Sequence, residues 1–326
     1  MKRLLQDIKT SQFSNFYLLC GEEAYLRKQY RDNLRNALIS QDDSMNLTTF
    51  SGKDFDVNEM IDLAQTMPFF AQRRVIVVEN SGLFKSANER LNEKIKEFPD
   101  TTYMIFVEEE VDKRGRLYKW IGSNGYVASL DMQDEATLKK WIIGLLKKEN
   151  KLITEEALNL LLDRTGTDMQ NIRHEVEKLI CYKLDEEGIT AKDVEDLCIV
   201  RLQNKVFDMV EAVATKNQKL ALKLYYDLLS LKEAPIKILA LILRQFQMLL
   251  LVKEMKQKGY DEAGIATKTG LNPYYLRKKY IPQAAKFQLA QLKASVQACI
   301  QADEDVKTGK LSDTLSVELI IISLSK

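Results

Sequence analysis

The chain contains 326 residues, of which 45% are hydrophobic, and its 48 lysines and arginines almost balance its 47 aspartates and glutamates. This length predicts roughly two or three domains, each with a hydrophobic core of its own. The near-zero net charge excludes a strong overall field for nucleic acid or a membrane surface, so any nucleic-acid contact requires a local basic patch.

Short β-rich runs alternate with helix-length segments in the first part of the chain. The predicted strands are Phe16–Cys20, Leu47–Ser51, Arg73–Glu79, Thr101–Glu108 and Tyr126–Leu130. The predicted helices between them cover about 23–40, 55–66, 86–97 and 114–121. This alternation predicts βαβ units and a parallel sheet that is covered on both faces.

The first strand-turn-helix, Phe16–Tyr30, has the frame of a phosphate-binding loop without its chemistry. A working loop of this kind needs glycines that wrap the phosphates, a lysine that reaches them and a hydroxyl that holds Mg²⁺. Here Gly21 is followed by Glu22 and Glu23, and neither a lysine nor a serine or threonine stands at the helix start. Two carboxylates at the position of an anion predict a scaffold that does not hydrolyse nucleotide.

Beyond Asp131 the strand pattern disappears and the chain is predicted to be helical. A small helical domain is expected to end near Arg201, and about five helices are expected after it. These later helices are predicted over 206–231, from Pro235, after Pro273, over 287–306 and over 315–324. The isoleucines of the last segment also suit a strand by propensity, although a helix is predicted.

This layout resembles that of AAA+ clamp-loader subunits. The stretches that carry the resemblance are FYLLCGEEAYL, QTMPFFAQRRVIVVEN, YMIFVEEEVDKRGRLYKW, TGTDMQNIRHEVEKL and ADEDVKTGKLSD. In their order and spacing, these stretches resemble those of the delta subunits of bacterial DNA polymerase III clamp loaders. The resemblance implies an α/β plus all-α fold: an AAA+-like parallel-sheet domain over 1–132 with a degenerate P-loop, a helical lid over 133–204 and a helical collar over 205–326.

The resemblance also implies a function. A delta subunit of this kind is a non-ATPase clamp-loader subunit that binds and opens the ring-shaped sliding clamp for loading onto primed DNA. The implied partners are the sliding clamp (beta subunit), clamp-loader subunits of the gamma/tau and delta-prime type, and primed DNA within the complex, with no membrane and no cofactor. The arginine-finger tripeptide Ser-Arg-Cys of some clamp-loader subunits is absent here, where the chain reads Gly122–Tyr126 before the fifth strand.

The segment TMPFFAQRR is the predicted clamp-binding element. Pro68 is expected to end the preceding helix, so that Phe69 and Phe70 stand on a short loop before a central strand. In the resembling family an equivalent hydrophobic pair enters a pocket on the sliding clamp, and Phe69 and Phe70 match it, with Met67 and Pro68 as supporting residues. The alternative is that both phenylalanines pack into the core.

Two basic clusters are candidates for contact with DNA. Lys113 and Arg114 follow the fourth strand, whereas Tyr274, Arg277, Lys278 and Lys279 combine cations with an aromatic ring in the last domain. Cations neutralise phosphates and rings stack on bases. A solvated helix face has the same composition. Two other functions stay open, an atypical AAA+ NTPase and a helical nucleic-acid-binding regulator.

No catalytic, metal-binding or cofactor-binding site is predicted from the acidic residues or from the single histidine. Glu79 ends the third strand where a working ATPase keeps its Mg²⁺-binding acid, but its predicted role is structural because the loop chemistry is missing. The acids Glu108–Glu110 are predicted to form a solvated turn rather than an acid–base pair. His174, the only histidine, lies off the apolar stripe of its helix and is predicted at the surface.

Cysteine usage and the apolar segments predict a cytoplasmic protein. The cysteines stand far apart without Cys-x-x-Cys spacing and are all expected to be buried, reduced thiols. The N-terminal stretch has no long apolar core, so no signal peptide is expected. The most apolar run, Ile236–Val252, contains two cations and two glutamines and is predicted to be a buried bundle helix rather than a membrane span.

Overall fold

The structure, a computed structural model, describes residues 2–40, 43, 45–86, 88–198 and 202–325. It divides into two units, Met1–Gln133 and Asp134–Lys326. The first unit contains the five-stranded sheet, and the second consists mainly of helices. The predicted division into three domains stays a prediction.

The first unit is built on five parallel strands in the order β2-β3-β4-β1-β5. The strands are β1 (Phe16–Cys20), β2 (Leu47–Ser51), β3 (Arg74–Glu79), β4 (Thr102–Glu108) and β5 (Tyr126–Ser129). Each lies within one residue of its predicted bounds. The predicted fold class, a parallel α/β domain followed by helical segments, is confirmed.

Helices connect these strands, as expected for parallel pairs, which need long crossovers. They are α2 (Ala24–Leu38), α3 (Val57–Ala64), α4 (Glu89–Lys94), which a 3₁₀ turn extends over Ile95–Glu97, and α5 (Arg116–Asn124). A further helix, α1 (Lys2–Thr10), precedes β1 and was not predicted. This helix buries Leu4, and Asp7 in it accepts a hydrogen bond of 2.9 Å from the Tyr17 hydroxyl.

The central strands of the sheet are buried on both faces. All five residues of β1 are buried, and so are five of the six residues of β3. This burial explains their nearly continuous apolar sequences, since a parallel strand under two helical layers has no solvent face. Leu18 of β1 pairs with Phe106 of β4, and both side chains are fully buried in the core of this unit.

The second unit begins with a small helical segment that includes two short strands. Its elements are α6 (Glu135–Lys148), β6 (Leu152–Ile153), α7 (Glu155–Thr165), α8 (Met169–Tyr182), β7 (Gly188–Ile189) and α9 (Ala191–Leu197). The prediction that strands disappear beyond Asp131 was wrong here, because β6 and β7 pair in parallel. Two residues per strand are too few to produce an alternating pattern in the sequence.

A larger helical segment follows. Its elements are α10 (Leu202–Ala214), α11 (Gln218–Ser230), α12 (Pro235–Gln257), α13 (Glu262–Thr269), α14 (Pro273–Tyr275), a π-helical turn (Leu276–Tyr280), α15 (Ile281–Ala285), α16 (Leu289–Lys307) and α17 (Asp313–Leu324). The last of these segments is helical, as predicted, and forms α17. Ser312 directly precedes α17, and its side chain caps the helix.

One prediction about these helices was wrong, and one helix was not predicted. The single helix expected over 206–231 is divided into α10 and α11, because Lys216 adopts a positive φ of 57° and the Asn217 side chain caps α11. The sequence analysis also did not predict α13. Its signals are Asp261, which caps the helix start, and Gly270, which ends the helix in the left-handed conformation.

Helix α12 is the centre of the core of this segment. It is long and apolar enough to span a membrane by length and composition alone, a test that a core helix of a soluble protein also passes. Eight of its residues are buried, and several of them, including Phe246 and Leu249, belong to one core with residues of α10, α11, α16 and α17. This packing agrees with the prediction of a buried bundle helix.

The four cysteines do not share one environment. Cys20, Cys198 and Cys299 are buried, as predicted, whereas Cys181 near the end of α8 is exposed, so the prediction for Cys181 was wrong. Burial raises the pKa of the Cys20 thiol to about 11, and those of Cys198 and Cys299 to about 12. At neutral pH the three buried cysteines are therefore largely in the thiol form, and reagents have little access to them.

We expect a single fast-reacting thiol per native chain at neutral pH, because the thiolate is the nucleophile and only Cys181 is accessible. Titration with a chromogenic disulfide reagent measures this stoichiometry. In denaturant all four cysteines react. Cys181→Ser removes the fast phase, and a fast phase that survives in this variant contradicts the assignment.

Candidate functional site

At the carboxyl edge of the sheet, the turn after β1 packs closely against Leu130, the residue that follows β5. Gly21 follows β1 with φ of 130°, and a Cβ at this position would lie 2.5 Å from the Leu130 carbonyl oxygen. The Glu23 amide donates to that carbonyl at 2.9 Å, and its carboxylate accepts from the Tyr25 amide at 3.1 Å. The amino end of α2, the natural position of a phosphate, is therefore capped by a buried carboxylate.

Glu79, the acidic residue at the end of β3, also has a partner within the chain. Glu79 forms an ion pair with Arg31 of α2, and Arg31 contacts Asp32 at 2.8 Å. Burial alone would lower the pKa of Arg31, but its bonds to these two carboxylates outweigh burial and raise that pKa. Glu79 thus has a cation partner of its own within the unit.

The prediction of a solvated turn over Glu108–Glu110 was wrong for Glu108. The Glu108 side chain is buried and accepts hydrogen bonds from the backbone amide, at 2.8 Å, and the hydroxyl of Ser81. Glu109 and Glu110 are exposed, as predicted. His174 is exposed as well, and the described residues contain no group of acids, cysteines and histidine that could hold a metal ion.

The opposite, amino edge of the sheet presents the two aromatic residues singled out from the sequence. Phe69 is 55% exposed and Phe70 is 95% exposed, so neither packs into the core. Their rings contact edge to face with centroids 4.5 Å apart. Phe70 has a positive φ of 49°, an uncommon conformation for a bulky residue. Of the supporting residues, Met67 is exposed and Pro68 is half-buried.

Two buried side chains hold this loop in place. Asn46, directly before β2, accepts from the Phe69 amide at 2.6 Å and donates to the Phe69 carbonyl at 2.9 Å. Arg74, the first residue of β3, donates to the carbonyls of Met67 at 2.9 Å and Thr66 at 3.3 Å. Neither residue is among the site residues predicted from the sequence. Asn46 carries no local signal, because it precedes Phe69 by 23 residues.

The DNA-contact candidates lie in both units, and several of them have acidic neighbours. In the first unit Lys113 and Arg114 are exposed, and Arg114 contacts Asp112 at 3.1 Å. In the second unit Arg277 contacts Glu262 at 3.0 Å, and Lys278 contacts Glu135 at 3.2 Å. Lys279 lies 5.5 Å from the Phe207 ring centroid. These acidic neighbours reduce the positive potential that a phosphate would encounter.

Tyr274 is placed for packing rather than for stacking on a base. Its ring is buried, its hydroxyl donates to Asp163 at 3.2 Å, and burial raises the pKa of this hydroxyl. The neighbouring Tyr275 hydroxyl lies so close to Gly166 that any side chain at position 166 would overlap it. Together these contacts join α7 and its following turn to the segment around α14.

The fold defines an AAA+-like protein in which the Glu23 carboxylate caps the start of α2 and Arg31 pairs with Glu79. Residues 17–129 match the family model described as "DNA polymerase III, delta subunit", and residues 203–324 match "DNA polymerase III delta subunit, C-terminal domain". Together the two matches cover well over half of the chain. The chain belongs to the DNA polymerase III delta subunit family, which confirms the resemblance drawn from the sequence.

Similar proteins cover nearly the whole chain. DNA polymerase III subunit delta of Bacillus subtilis is 27% identical over 335 aligned residues, which cover 98% of this chain and 96% of that protein. A probable DNA polymerase III subunit delta of Aquifex aeolicus is 23% identical and covers 86% of this chain and 83% of its own length. The solved structure of the B. subtilis DNA clamp loader delta protein aligns with a TM-score of 0.81 at 25% identity, covering 99% of both chains.

We expect Gly21→Ala to lower the free energy of unfolding by about 3 kcal/mol, because it adds a backbone overlap to an unfavourable φ. Urea unfolding followed by circular dichroism measures the change. The matched control is Gly52→Ala, since Gly52 has φ of 83° and no atom within 4 Å of a built Cβ. The control should lose only about 1 kcal/mol. Equal losses would contradict a steric role for the Leu130 carbonyl.

Proposed function

We propose that this chain is a non-ATPase clamp-loader subunit that binds the sliding clamp ring and favours its open state for loading onto primed DNA. The observation that carries the proposal is the exposure of Phe69 and Phe70 on a loop held by buried hydrogen bonds. A soluble protein gains nothing from presenting two such rings to water, whereas a partner pocket would bury them. Membership of the delta subunit family supports the sliding clamp as that partner.

The aromatic pair is large enough to be the energetic centre of an interface. Burying one phenylalanine ring contributes about 1.5–3 kcal/mol, so two rings provide several kcal/mol in one place. Interface energy is typically concentrated in a few central residues of this kind. Ring opening requires that the subunit bind the open clamp more tightly than the closed one, since only a difference in affinity shifts the equilibrium.

ATP binding and hydrolysis belong, in this proposal, to neighbouring loader subunits of the gamma/tau and delta-prime type. The capped end of α2 and the Glu79–Arg31 ion pair support this assignment, because Glu23 places a negative charge where a phosphate would bind and Glu79 already has a cation partner. The predicted collar over 205–326 would join the chain to those subunits. We place the complex in the bacterial cytoplasm, where chromosomal replication occurs.

Direct DNA binding by this chain alone is the weaker alternative. Arg277 and Lys278 have acidic partners, and the ring of Tyr274 is buried. Any contact of Lys113, Arg114 or Lys279 with primed DNA is proposed only within the assembled loader, where several subunits contribute charge.

We expect the double variant Phe69→Ala, Phe70→Ala to bind the cognate sliding clamp at least about 100-fold more weakly than the native chain, because it loses most of the buried apolar area. Surface plasmon resonance with immobilised clamp and no nucleotide measures the affinity. Since both side chains are exposed, the variant should keep the melting temperature of the native chain.

A matched control is Tyr182→Ala, which removes an aromatic ring that is 57% exposed in the second unit. It should bind the clamp like the native chain. Native affinity in the double phenylalanine variant would reject the proposed docking centre. Failure of the native chain itself to bind would favour the regulator hypothesis, which predicts DNA binding that is lost when Arg277–Lys279 are neutralised.

We expect no saturable binding of Mg²⁺-ATP to the isolated chain and no phosphate release, because Glu23 already occupies the anion position at the start of α2. Isothermal titration calorimetry and a phosphate-release assay measure the two quantities. A loader subunit with an intact P-loop serves as the positive control. Saturable binding and turnover that depend on Gly21 or Glu79 would instead support an atypical AAA+ NTPase.

A further inference from the structure

We propose that Met45 adds apolar contact area to the clamp-docking surface and that the buried Asn46 beside it positions the aromatic loop from below. This inference rests on the proposed function, since it concerns the same docking surface. It adds two residues that lie far from TMPFFAQRR in the sequence.

The sheet brings the two segments together. Asn46 directly precedes β2, and the aromatic loop directly precedes β3, the neighbouring parallel strand. The register begins at Leu47 opposite Val75, and the Val75 amide donates to the Asn46 carbonyl at 2.8 Å. Because parallel strands start at one edge of a sheet, both segments emerge at the amino edge.

The Asn46 side chain has the donors and acceptor that this position requires. Its amide oxygen accepts from the Phe69 amide, and its amide nitrogen donates to the Phe69 carbonyl and to the Asp43 carboxylate. With only 1% of Asn46 exposed, no water can replace these bonds. An aspartate would lack the donors and would face Asp43 as a like charge, and a leucine would lack both functions.

This arrangement fixes the backbone at Phe69, next to the unfavourable conformation of Phe70. Residues in sparsely populated conformations persist only where their surroundings determine them. A loop that is ordered before binding loses less conformational entropy when it binds. Asn46 therefore strengthens clamp binding without any need to touch the clamp.

Met45 extends the exposed apolar surface at this edge. Among the described residues of the first unit, the exposed large hydrophobic residues are Leu5, Met45, Met67, Phe69, Phe70 and Met132. Four of these six belong to the aromatic loop or to the residue beside Asn46. Met45 is 69% exposed, and its unbranched, polarizable side chain adapts to a partner surface. The partner that this surface fits is the apolar pocket of the sliding clamp that accepts the phenylalanine pair.

The test compares clamp affinity for Asn46→Ala, Met45→Ala and the double phenylalanine variant. We expect about a 10-fold loss for Asn46→Ala and about a 3-fold to 10-fold loss for Met45→Ala. Asn46→Ala should cause little further loss when it is added to the double phenylalanine variant, because it acts through that loop. A purely structural role would give a loss of stability with unchanged clamp affinity.

Two matched controls separate local from general effects. Asn15 also precedes a strand and donates to two backbone carbonyls, those of Asp100 and Thr102, so Asn15→Ala reports the effect of a lost asparagine that does not touch the loop. Met132 is 46% exposed beyond the end of β5, so Met132→Ala reports a lost methionine at the opposite edge. Both controls should bind the clamp within twofold of the native chain.

Hydrogen exchange provides a measurement that needs no variant. The Phe69 amide should be protected from exchange in the free chain, although the Phe69 side chain is exposed, because that amide is bonded to buried Asn46. Exchange of this amide at the unstructured rate would overturn the positioning role. So would native clamp affinity in Asn46→Ala while the double phenylalanine variant loses binding. Native affinity in the double phenylalanine variant would instead reject the proposed function.

Discussion

The parallel pairing of β3 with β2 and β4 is the constraint on which the rest of the first unit depends. Since all five strands run in the same direction, one edge of the sheet collects every strand start and the other collects every strand end. Burial of β3 on both faces anchors this pairing and leaves functional groups only at its two ends. The strand begins after the aromatic loop and ends at Glu79, so it connects the two edges of the sheet that carry the candidate site residues.

At the carboxyl edge, the molecule keeps the geometry of a nucleotide-binding scaffold while satisfying its electrostatics internally. A helix start with open amides attracts an anion, and the Glu23 carboxylate supplies one from the chain. An acid at the end of a central strand attracts a cation, and Arg31 supplies that charge. Glu23 and Glu79, the two acids at this edge, therefore both have partners within the chain.

At the amino edge, by contrast, large apolar side chains are exposed to solvent. Two large rings stand in water, and one of them has a backbone conformation that bulky residues rarely adopt. Such an arrangement persists because Asn46 and Arg74, both buried, bind the loop backbone through four hydrogen bonds. The surface is thus ordered by polar contacts underneath it and remains apolar on the outside. This separation of roles allows a rigid loop to present side chains that make no contribution to the core.

The sequence by itself determined the five strands, the missing phosphate chemistry and the position of the aromatic pair, because each depends on residues that are close together in the chain. Tertiary structure decided what depends on distant residues. Asn46 meets Phe69 only because β2 and β3 are neighbours, and the buried Glu108 is hydrogen-bonded only because the fold places Ser81 beside it. Likewise Tyr274 is removed from solvent by α7, and the short β6 and β7 exist only as a pair. Periodicity and turn chemistry report local preference, whereas burial and hydrogen-bond partners are set by which segments the fold brings together.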